Sequence, residues 1–343
     1  MTSTHQDLIG DAAPNDSQLF ADLRRQVVDA GLLKTQRRYY TFTIGGTLLA
    51  WVAGWVALFA VGSSWWQLLV AVYLAECAAQ LAFIFHDASH KEISRSKNLT
   101  LVIGYTVGNL LLGVSFGWWL AHHGQHHNNP NHLELDPDIT RKIAVFTPDH
   151  VDRRHGWKRW IVKHQARIYF PFTSLDTLRL RVASIGAIKN GKVKHPILET
   201  SLLVTHAVLF FGAVFWAMGL GQAFAFIVLY HVLVGIHLGM SFAPNHKGMP
   251  TTDGTPSGWI ERQVLTSRNV TPSPFTDYMY GGLNYQIEHH LFPTMPRNNF
   301  KRARPIVRAF LEKNGYPYTE TSVRQSIRDI TTALEWASEP ARH

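Results

Sequence analysis

Four apolar stretches of about 20 residues each constrain the fold more than any other feature of the sequence. They cover residues 41–61, 65–85, 202–220 and 223–243, and Glu76 is the one aspartate, glutamate, lysine or arginine among them. A helix of this length crosses a hydrocarbon core about 30 Å thick. We therefore expect an all-α integral membrane protein with four transmembrane helices.

The four stretches form two hairpins. Short breaks at Gly62–Ser64 and Gly221–Gln222 separate the members of each pair, and neither break contains a lysine or an arginine. The basic residues lie instead in the N-terminal arm, after Phe85, in the middle of the chain and near its end. Because positively charged loops stay on the cytoplasmic side of a membrane, we expect all four basic regions to be cytoplasmic.

A fifth apolar stretch, residues 99–120, differs because glycines interrupt it. If it crossed the membrane, the basic middle of the chain would lie on the opposite side from the other basic regions, against the charge rule. We therefore expect this stretch to be interfacial or re-entrant.

The domain organisation follows from these boundaries. We expect a cytosolic N-terminal arm over residues 1–38, a membrane domain over 39–320, and a cytosolic helix and tail over 321–343. Asp16 or Ser17 is placed to cap a helix in the arm. The start of the chain lacks the basic and then apolar pattern of a signal peptide. Both termini are expected on the cytoplasmic side.

Composition narrows the choice of partners. The chain has a formal net charge of +9, and its basic residues flank the apolar stretches. This placement favours anionic membrane lipids or an acidic protein partner over nucleic acid. Cys77 is the single cysteine of the sequence. An intramolecular disulfide and an iron–sulfur cluster built by this chain alone are therefore excluded.

Three histidine clusters lie near the ends of apolar stretches. They are His86-Asp87-Ala88-Ser89-His90, His123-Gly124-Gln125-His126-His127 and Gln286-Ile287-Glu288-His289-His290. Residues three or four apart share one face of a helix, so each cluster presents its imidazoles in one direction. The charge rule places all three clusters in a cytosolic helical cap, where they offer seven imidazoles to one centre.

Seven imidazoles indicate a site for two metal ions. One tetrahedral zinc takes four ligands, whereas two metals of octahedral preference accept seven and keep positions open for dioxygen. Imidazole suits iron, although ligand type alone leaves zinc, copper and nickel open. Nearby carboxylates are expected to orient the imidazoles or to reach the metal themselves; they are Asp87, Asp136, Asp138 and Glu288.

In the order HxxxH, HxxHH and QxxHH, the clusters resemble the three histidine boxes of the membrane fatty acid desaturases. The segment Gly281–Arg297 carries the most specific likeness, because a glutamine heads the box and LFPTMPR follows it. These features are similar to the front-end acyl-lipid and acyl-CoA desaturases and their bacterial relatives. Asn131, Asp136 and Asp138 after the second box also fit, which adds Asn131 to the candidate site residues.

The resemblance implies a catalytic centre of two iron ions, which uses dioxygen as co-substrate to place a cis double bond in a fatty acyl chain linked to CoA or to a lipid. No catalytic residue beyond the metal centre is implied. Family members use one further histidine after the fourth helix, where this chain has His246 as an eighth ligand. Gln286 replaces a histidine of other branches and binds iron directly or through water. His237 is either a hydrogen-bonded core residue or part of the site.

The electron donor is expected to be a separate protein. Many eukaryotic front-end enzymes carry a fused haem domain with an HPGG motif, which this sequence lacks. We expect a ferredoxin, or a cytochrome with its reductase, and a bacterial inner membrane as the location. A basic segment is placed either to dock the donor or to contact anionic headgroups, through Arg153, Arg154, Lys158 and Arg159.

Two other functions stay open at this point. A membrane hydroxylase, epoxidase or ketolase would use the same kind of centre on a lipid substrate. A transporter or channel with a metal-sensing cap would need polar residues near the membrane midplane, and the candidates are Glu76, His206, His231 and His237.

Overall fold

The computed structural model describes residues 16–140, 144–253 and 258–342. Helices dominate these ranges: α1 (Asp16–Asp29), α2 (Arg37–Val61), α3 (Gln67–Ser89), α4 (Lys97–Gly104), α5 (Phe116–Asn128), α6 (Trp157–Thr173), α7 (Asp176–Lys189), α8 (Pro196–Ala217), α9 (Leu220–His246), α10 (Trp259–Leu265), α11 (Pro274–Met279), α12 (Gln286–Leu291), α13 (Phe300–Lys313) and α14 (Val323–Ala337). A π-helix, Tyr105–Leu112, continues α4. The two-residue strands β1 (Asn269–Val270) and β2 (Glu320–Thr321) pair in parallel.

Four of these helices, α2, α3, α8 and α9, are long and apolar enough to cross a membrane. They form two helical hairpins, and the predicted all-α membrane fold with four spanning helices is confirmed. At the tip of the first hairpin, Gln67 Nε2 donates to Leu58 O at 2.6 Å and to Gly62 O at 2.8 Å. These bonds satisfy carbonyls that the end of α2 leaves open. Ser63 Oγ donates to Gln222 Oε1 at 2.8 Å, which joins the two hairpin tips.

The chain divides into two compact units. One unit comprises residues 1–34, 125–166 and 243–343, and the other comprises 35–124 and 167–242. The second unit contains most of the apolar helices, and large apolar side chains such as Leu49, Trp216 and Phe224 are exposed on it. Such a surface is unfavourable in water and suits contact with a lipid bilayer.

The stretch 99–120 contains a sharp bend. Its first segment, Lys97–Leu112, and the following helix, Phe116–Asn128, are bent by 107°. Gly113 at the bend has a φ of +72°, a left-handed conformation that glycine adopts without steric cost. A Cβ at Gly108 would overlap the ring of Phe85, so the absence of a side chain lets this segment pack closely on α3.

The unit with the third histidine cluster has its own apolar core. Leu23, Val264, Leu291 and Phe300, from α1, α10, α12 and α13, are each at most 1% exposed. All residues of α12 are buried, so the third cluster lies inside this unit. The carboxylate of Asp16 accepts from the backbone N–H of Trp259 at the start of α10. Residues 1–15 of the predicted arm lie outside the described residues.

Candidate metal centre

The first histidine group lies in the apolar unit and joins the end of α3 to α5. His123 Nε2 is 3.0 Å from His86 Nε2 and 2.8 Å from His90 Nε2. The indole of Trp119 stacks on the ring of His123, with centroids 4.6 Å apart and planes 17° from parallel. Trp119 Nε1 also donates to Ser89 Oγ at 3.3 Å. The indole therefore fixes the plane of the His123 imidazole.

The second group lies in the other unit and draws on α5, α9 and α12. The Nε2 atoms of His126 and His246 are 3.3 Å apart. One ring nitrogen from each of His126, His246 and His290 lies within 4.8 Å of the other two. Beside them, the Nε2 atoms of His127 and His289 are 3.1 Å apart. Five imidazoles from three helices thus converge in this unit.

Three of these rings have an Nδ1 atom that points away from the other imidazoles, and its hydrogen bond fixes which ring nitrogen carries the proton. Each Nδ1 faces an acceptor outside the group: His126 faces Asp136 Oδ2 at 3.0 Å, His246 faces Thr266 O at 2.9 Å, and His290 faces Gln263 Oε1 at 2.8 Å. Each Nδ1 therefore carries the proton, and a neutral ring keeps a lone pair on Nε2. The inward nitrogens of His126 and His246 face each other lone pair to lone pair. A metal ion bound between the two nitrogens would remove this repulsion.

The spacing of the inward nitrogens also fits a six-coordinate metal. Two nitrogens about 2.1 Å from one ion and at right angles to each other are about 3.0 Å apart. The Nε2–Nε2 distances given above run from 2.8 to 3.3 Å. The residues therefore fit metal ions with nitrogen ligands, iron among them.

Asp136 is fully buried and uses both carboxylate oxygens. Besides His126, its Oδ2 accepts from Asn131 N at 2.8 Å, and its Oδ1 accepts from Asp138 N at 2.8 Å. Burial raises the pKa of the Asp136 carboxyl, but the adjacent His126 outweighs this effect and the net pKa lies below the usual range. Asp136 is thus ionised beside His126. The carboxylate of Asp138 is 3.7 Å from His126 Nδ1, beyond hydrogen-bond distance.

Asn131 connects the end of α5 to the end of α9. Its φ is +55°, in the left-handed region that asparagine tolerates better than most residues. In this conformation its Nδ2 donates to His246 O at 2.9 Å and to Pro250 O at 3.2 Å. Asn131 therefore fixes the backbone that carries His246.

The carboxylate oxygens of Glu288 accept hydrogen bonds from residues other than the histidines. Its Oε1 accepts from Tyr318 Oη and its Oε2 accepts from Asn269 Nδ2, both at 2.7 Å. Asn269 Oδ1 in turn accepts from Ile287 N at 2.9 Å, at the start of α12. Burial raises the pKa of Glu288, while the bonds from Tyr318 and Asn269 oppose that effect. These contacts make Glu288 a support of α12 and leave no described contact to an imidazole nitrogen.

Gln286 lies against His246. Its Nε2 is 2.8 Å from His246 Nε2, and its Oε1 accepts from Asn245 Nδ2 at 3.1 Å. The glutamine amide therefore reaches the inward face of the second group.

The polar residues inside the apolar unit pair with one another. His237 Nδ1 lies 3.0 Å from Glu76 Oε2, which links α9 to α3. Arg181 of α7 contacts His206 Nε2 at 3.2 Å and also His231 Nε2. Among the described residues, none of the members of these two pairings belongs to the two histidine groups.

The structure adds one residue near the first histidine group that the sequence analysis missed, Glu92. Glu92 is 1% exposed and accepts from Tyr40 Oη at 3.1 Å. One ligand atom from each of His86, Asp87 and Glu92 lies within 4.8 Å of the other two. The turn through Lys91, with a φ of +58°, brings the Glu92 carboxylate back to this place. The only signal in the sequence is an acid six residues after His86.

The basic residues expected to dock a donor differ in their surroundings. Arg159 Nη2 donates to Pro340 O at 2.7 Å, which ties α6 to the end of the chain. Lys158 Nζ lies 5.8 Å from the ring centroid of Trp157, and Arg153 is exposed. Arg153 and Lys158 are therefore better placed than Arg159 to meet a partner.

Comparison with known proteins identifies the class to which this fold and these histidines belong. The chain matches the family model for fatty acid desaturases over residues 63–322, which include all three histidine clusters. The protein belongs to the fatty acid desaturase family.

Curated relatives from several eukaryotes share about the same identity with the chain. It is 27% identical to the acyl-lipid (9-3)-desaturase of Physcomitrium patens, over 94% of this chain and 63% of that protein. It is 28% identical to fatty acid desaturase 3 of Bos taurus, over 96% of this chain and 77% of the relative. It is 29% identical to the delta(6)-fatty-acid desaturase fat-3 of Caenorhabditis elegans, over 87% and 70% respectively.

Proposed function

We propose that the protein is an oxygen-dependent membrane desaturase that introduces a cis double bond into a fatty acyl chain linked to CoA or to a lipid. The observation that supports this best is the arrangement of the histidine groups, whose Nε2 atoms lie 2.8 to 3.3 Å apart. The family membership and the relatives named as desaturases support the reaction class.

The two groups fit two iron ions. His86, His90 and His123 would contribute to one ion and His126, His246 and His290 to the other, and His127 and His289 would complete the set of nitrogen ligands. When bound, the iron ions supply the redox chemistry that couples reduction of dioxygen to removal of two hydrogens from the acyl chain.

The protein's own side chains hold this arrangement in place. Asp136 accepts a hydrogen bond from the Nδ1–H group of His126, which makes Nε2 of that ring a stronger metal ligand. Trp119 fixes the plane of His123. Asn131 and Glu288 hold the ends of the helices that carry His246 and the third cluster.

The membrane orientation and the electron donor complete the proposal. The histidines lie at the ends of α3 and α9 that are opposite the hairpin tips, and basic residues follow at these ends, which supports a cytoplasmic site. Helix α7 exposes the apolar side chains Leu178, Val182 and Ile185, which suits a position in the cytoplasmic leaflet of the membrane. A separate donor with an acidic surface would meet Arg153 and Lys158.

Expression in a host that lacks the activity tests the proposed function. We expect a new unsaturated fatty acid, located by the double-bond position of its methyl ester, and about two iron ions per purified chain. His126→Ala and His289→Ala should abolish the product, whereas His155→Ala, a change of an exposed histidine, should not.

Each alternative function predicts a different outcome of this experiment. A hydroxylated or oxidised lipid in place of the alkene would identify the hydroxylase or ketolase alternative. Full activity in His126→Ala and His289→Ala would refute the metal site. Transport of a solute by protein that binds no metal would overturn the enzyme proposal.

A further inference from the structure

Glu199 is a fully buried carboxylate in the first turn of α8. A charged side chain within a membrane-spanning helix is costly, and such residues usually serve a site. Within the described part of the chain, Glu199 is in none of the groups that bring metal-ligating atoms together. Its role must therefore lie in what it contacts.

The contacts of Glu199 lead to the first turn of α5. Ser115 Oγ donates to Glu199 Oε2, and Asn109 Nδ2 donates to the same oxygen at 3.3 Å. Ser115 Oγ also accepts from Trp118 N at 3.0 Å, and Asn109 Oδ1 accepts from Phe116 N at 2.9 Å. These two N–H groups belong to the α5 turn that has no intrahelical acceptors. One carboxylate thus anchors both side chains that cap α5.

Gly117 brings the helix directly onto the carboxylate. A Cβ at this position would overlap Glu199 Oε1, so a side chain as small as alanine would push the two apart. The Glu199 carboxyl group also lies at the positive end of the α5 dipole, where negative charge is favourable. Ser115 N donates to Ser184 Oγ of α7 at 3.0 Å, which fixes the same turn from another side.

We propose that Glu199 is a positioning residue for α5 that sets where His123 meets His86 and His90. The proposal rests on the proposed function, because it assigns Glu199 a role in the same metal centre. His123 follows Phe116 by seven residues, about 10 Å along the helix axis, and a helix transmits a shift over that length. A displacement of about 1 Å at a reacting centre costs about 100-fold in rate.

Three substitutions separate this role from general stability. Glu199→Gln keeps an oxygen acceptor for Ser115 and Asn109, Glu199→Leu removes it, and Gly117→Ala displaces it from the other side. Gly212→Ala is the matched control, because it lies on the same helix as Glu199 and a Cβ there has no neighbour within 4 Å. Desaturation in membranes, the visible spectrum of cobalt(II)-substituted protein, and the thermal unfolding midpoint are measured for each variant.

We expect Glu199→Leu and Gly117→Ala to lose about 10-fold or more of their turnover and to show an altered cobalt(II) spectrum while remaining folded. Glu199→Gln should stay within about 3-fold of the unchanged protein, and Gly212→Ala should match it. An unchanged spectrum and turnover in both Glu199→Leu and Gly117→Ala would overturn the proposal. If Glu199→Leu does not fold, Gly117→Ala alone decides by the same criteria.

Failure of the proposed function gives a different pattern from failure of this inference. If the unchanged protein forms no double bond, the desaturase proposal fails, but the cobalt(II) spectra still test whether Glu199 positions His123. If the unchanged protein is active and the Glu199→Leu and Gly117→Ala variants match it in turnover and cobalt(II) spectrum, this inference alone is refuted.

Discussion

Replacing Asp136 by asparagine tests the tautomer argument on which the metal centre depends. Asp136 accepts three hydrogen bonds, including the 3.0 Å contact with His126 Nδ1, and it is fully buried. Asparagine removes the negative charge and can turn an N–H group toward the ring. Loss of such an outer partner lowers metal affinity about 10- to 100-fold, or roughly 1.4 to 2.7 kcal/mol. Because this carboxylate is both ionised and buried, we expect the upper half of that range.

The assay is competition for iron(II) with a chelator of known affinity, on purified protein in detergent. Asp138→Asn is the matched control, since its carboxylate lies 3.7 Å from the same ring nitrogen and makes no hydrogen bond at that distance. We expect less than about a 3-fold change for the control. Equal iron affinity in Asp136→Asn and the unchanged protein would refute the assigned Nδ1 protonation of His126.

Three further predictions concern residues outside the two histidine groups. Arg268 is 1% exposed and donates to Pro244 O, Lys247 O and the carboxylate of Asp329. Arg268→Met should therefore lower the free energy of chemical unfolding by about 3 kcal/mol. A change below about 0.5 kcal/mol would contradict this role. His237→Ala should keep the full iron content, because His237 pairs with Glu76; loss of one iron would show that it is a ligand. Arg153→Glu with Lys158→Glu should raise the KM for an acidic electron donor about 5-fold at low salt and leave the iron content unchanged, and a KM that does not change would exclude this surface as the docking site.

Much of the histidine site was predictable because its signal is local. Histidines spaced three or four residues apart must share a helix face, and long apolar stretches with charge-free breaks must form membrane hairpins. The convergence of these clusters into metal-binding groups followed from the charge rule and from ligand number. His246 required the family resemblance, since a lone histidine after an apolar stretch carries no such pattern.

The supporting residues were not predictable because their partners are distant in sequence. Gln263 holds the ring of His290, and Thr266 accepts from His246 through its backbone, which no side-chain pattern reveals. Glu199 lies 84 residues from Ser115. Glu288 was left open as a ligand, whereas its hydrogen bonds to Tyr318 and Asn269 depend on chain segments that only the fold brings together.

The iron content of three proteins tests the central claim most directly. We predict about two iron ions per chain in the unchanged protein and about one in the His86→Ala, His90→Ala double variant, because the second histidine group stays intact. His246→Ala with His290→Ala should likewise retain the ion of the first group. Iron absent from the unchanged protein, or two iron ions retained in both double variants, would contradict the assignment of these histidines to a di-iron centre.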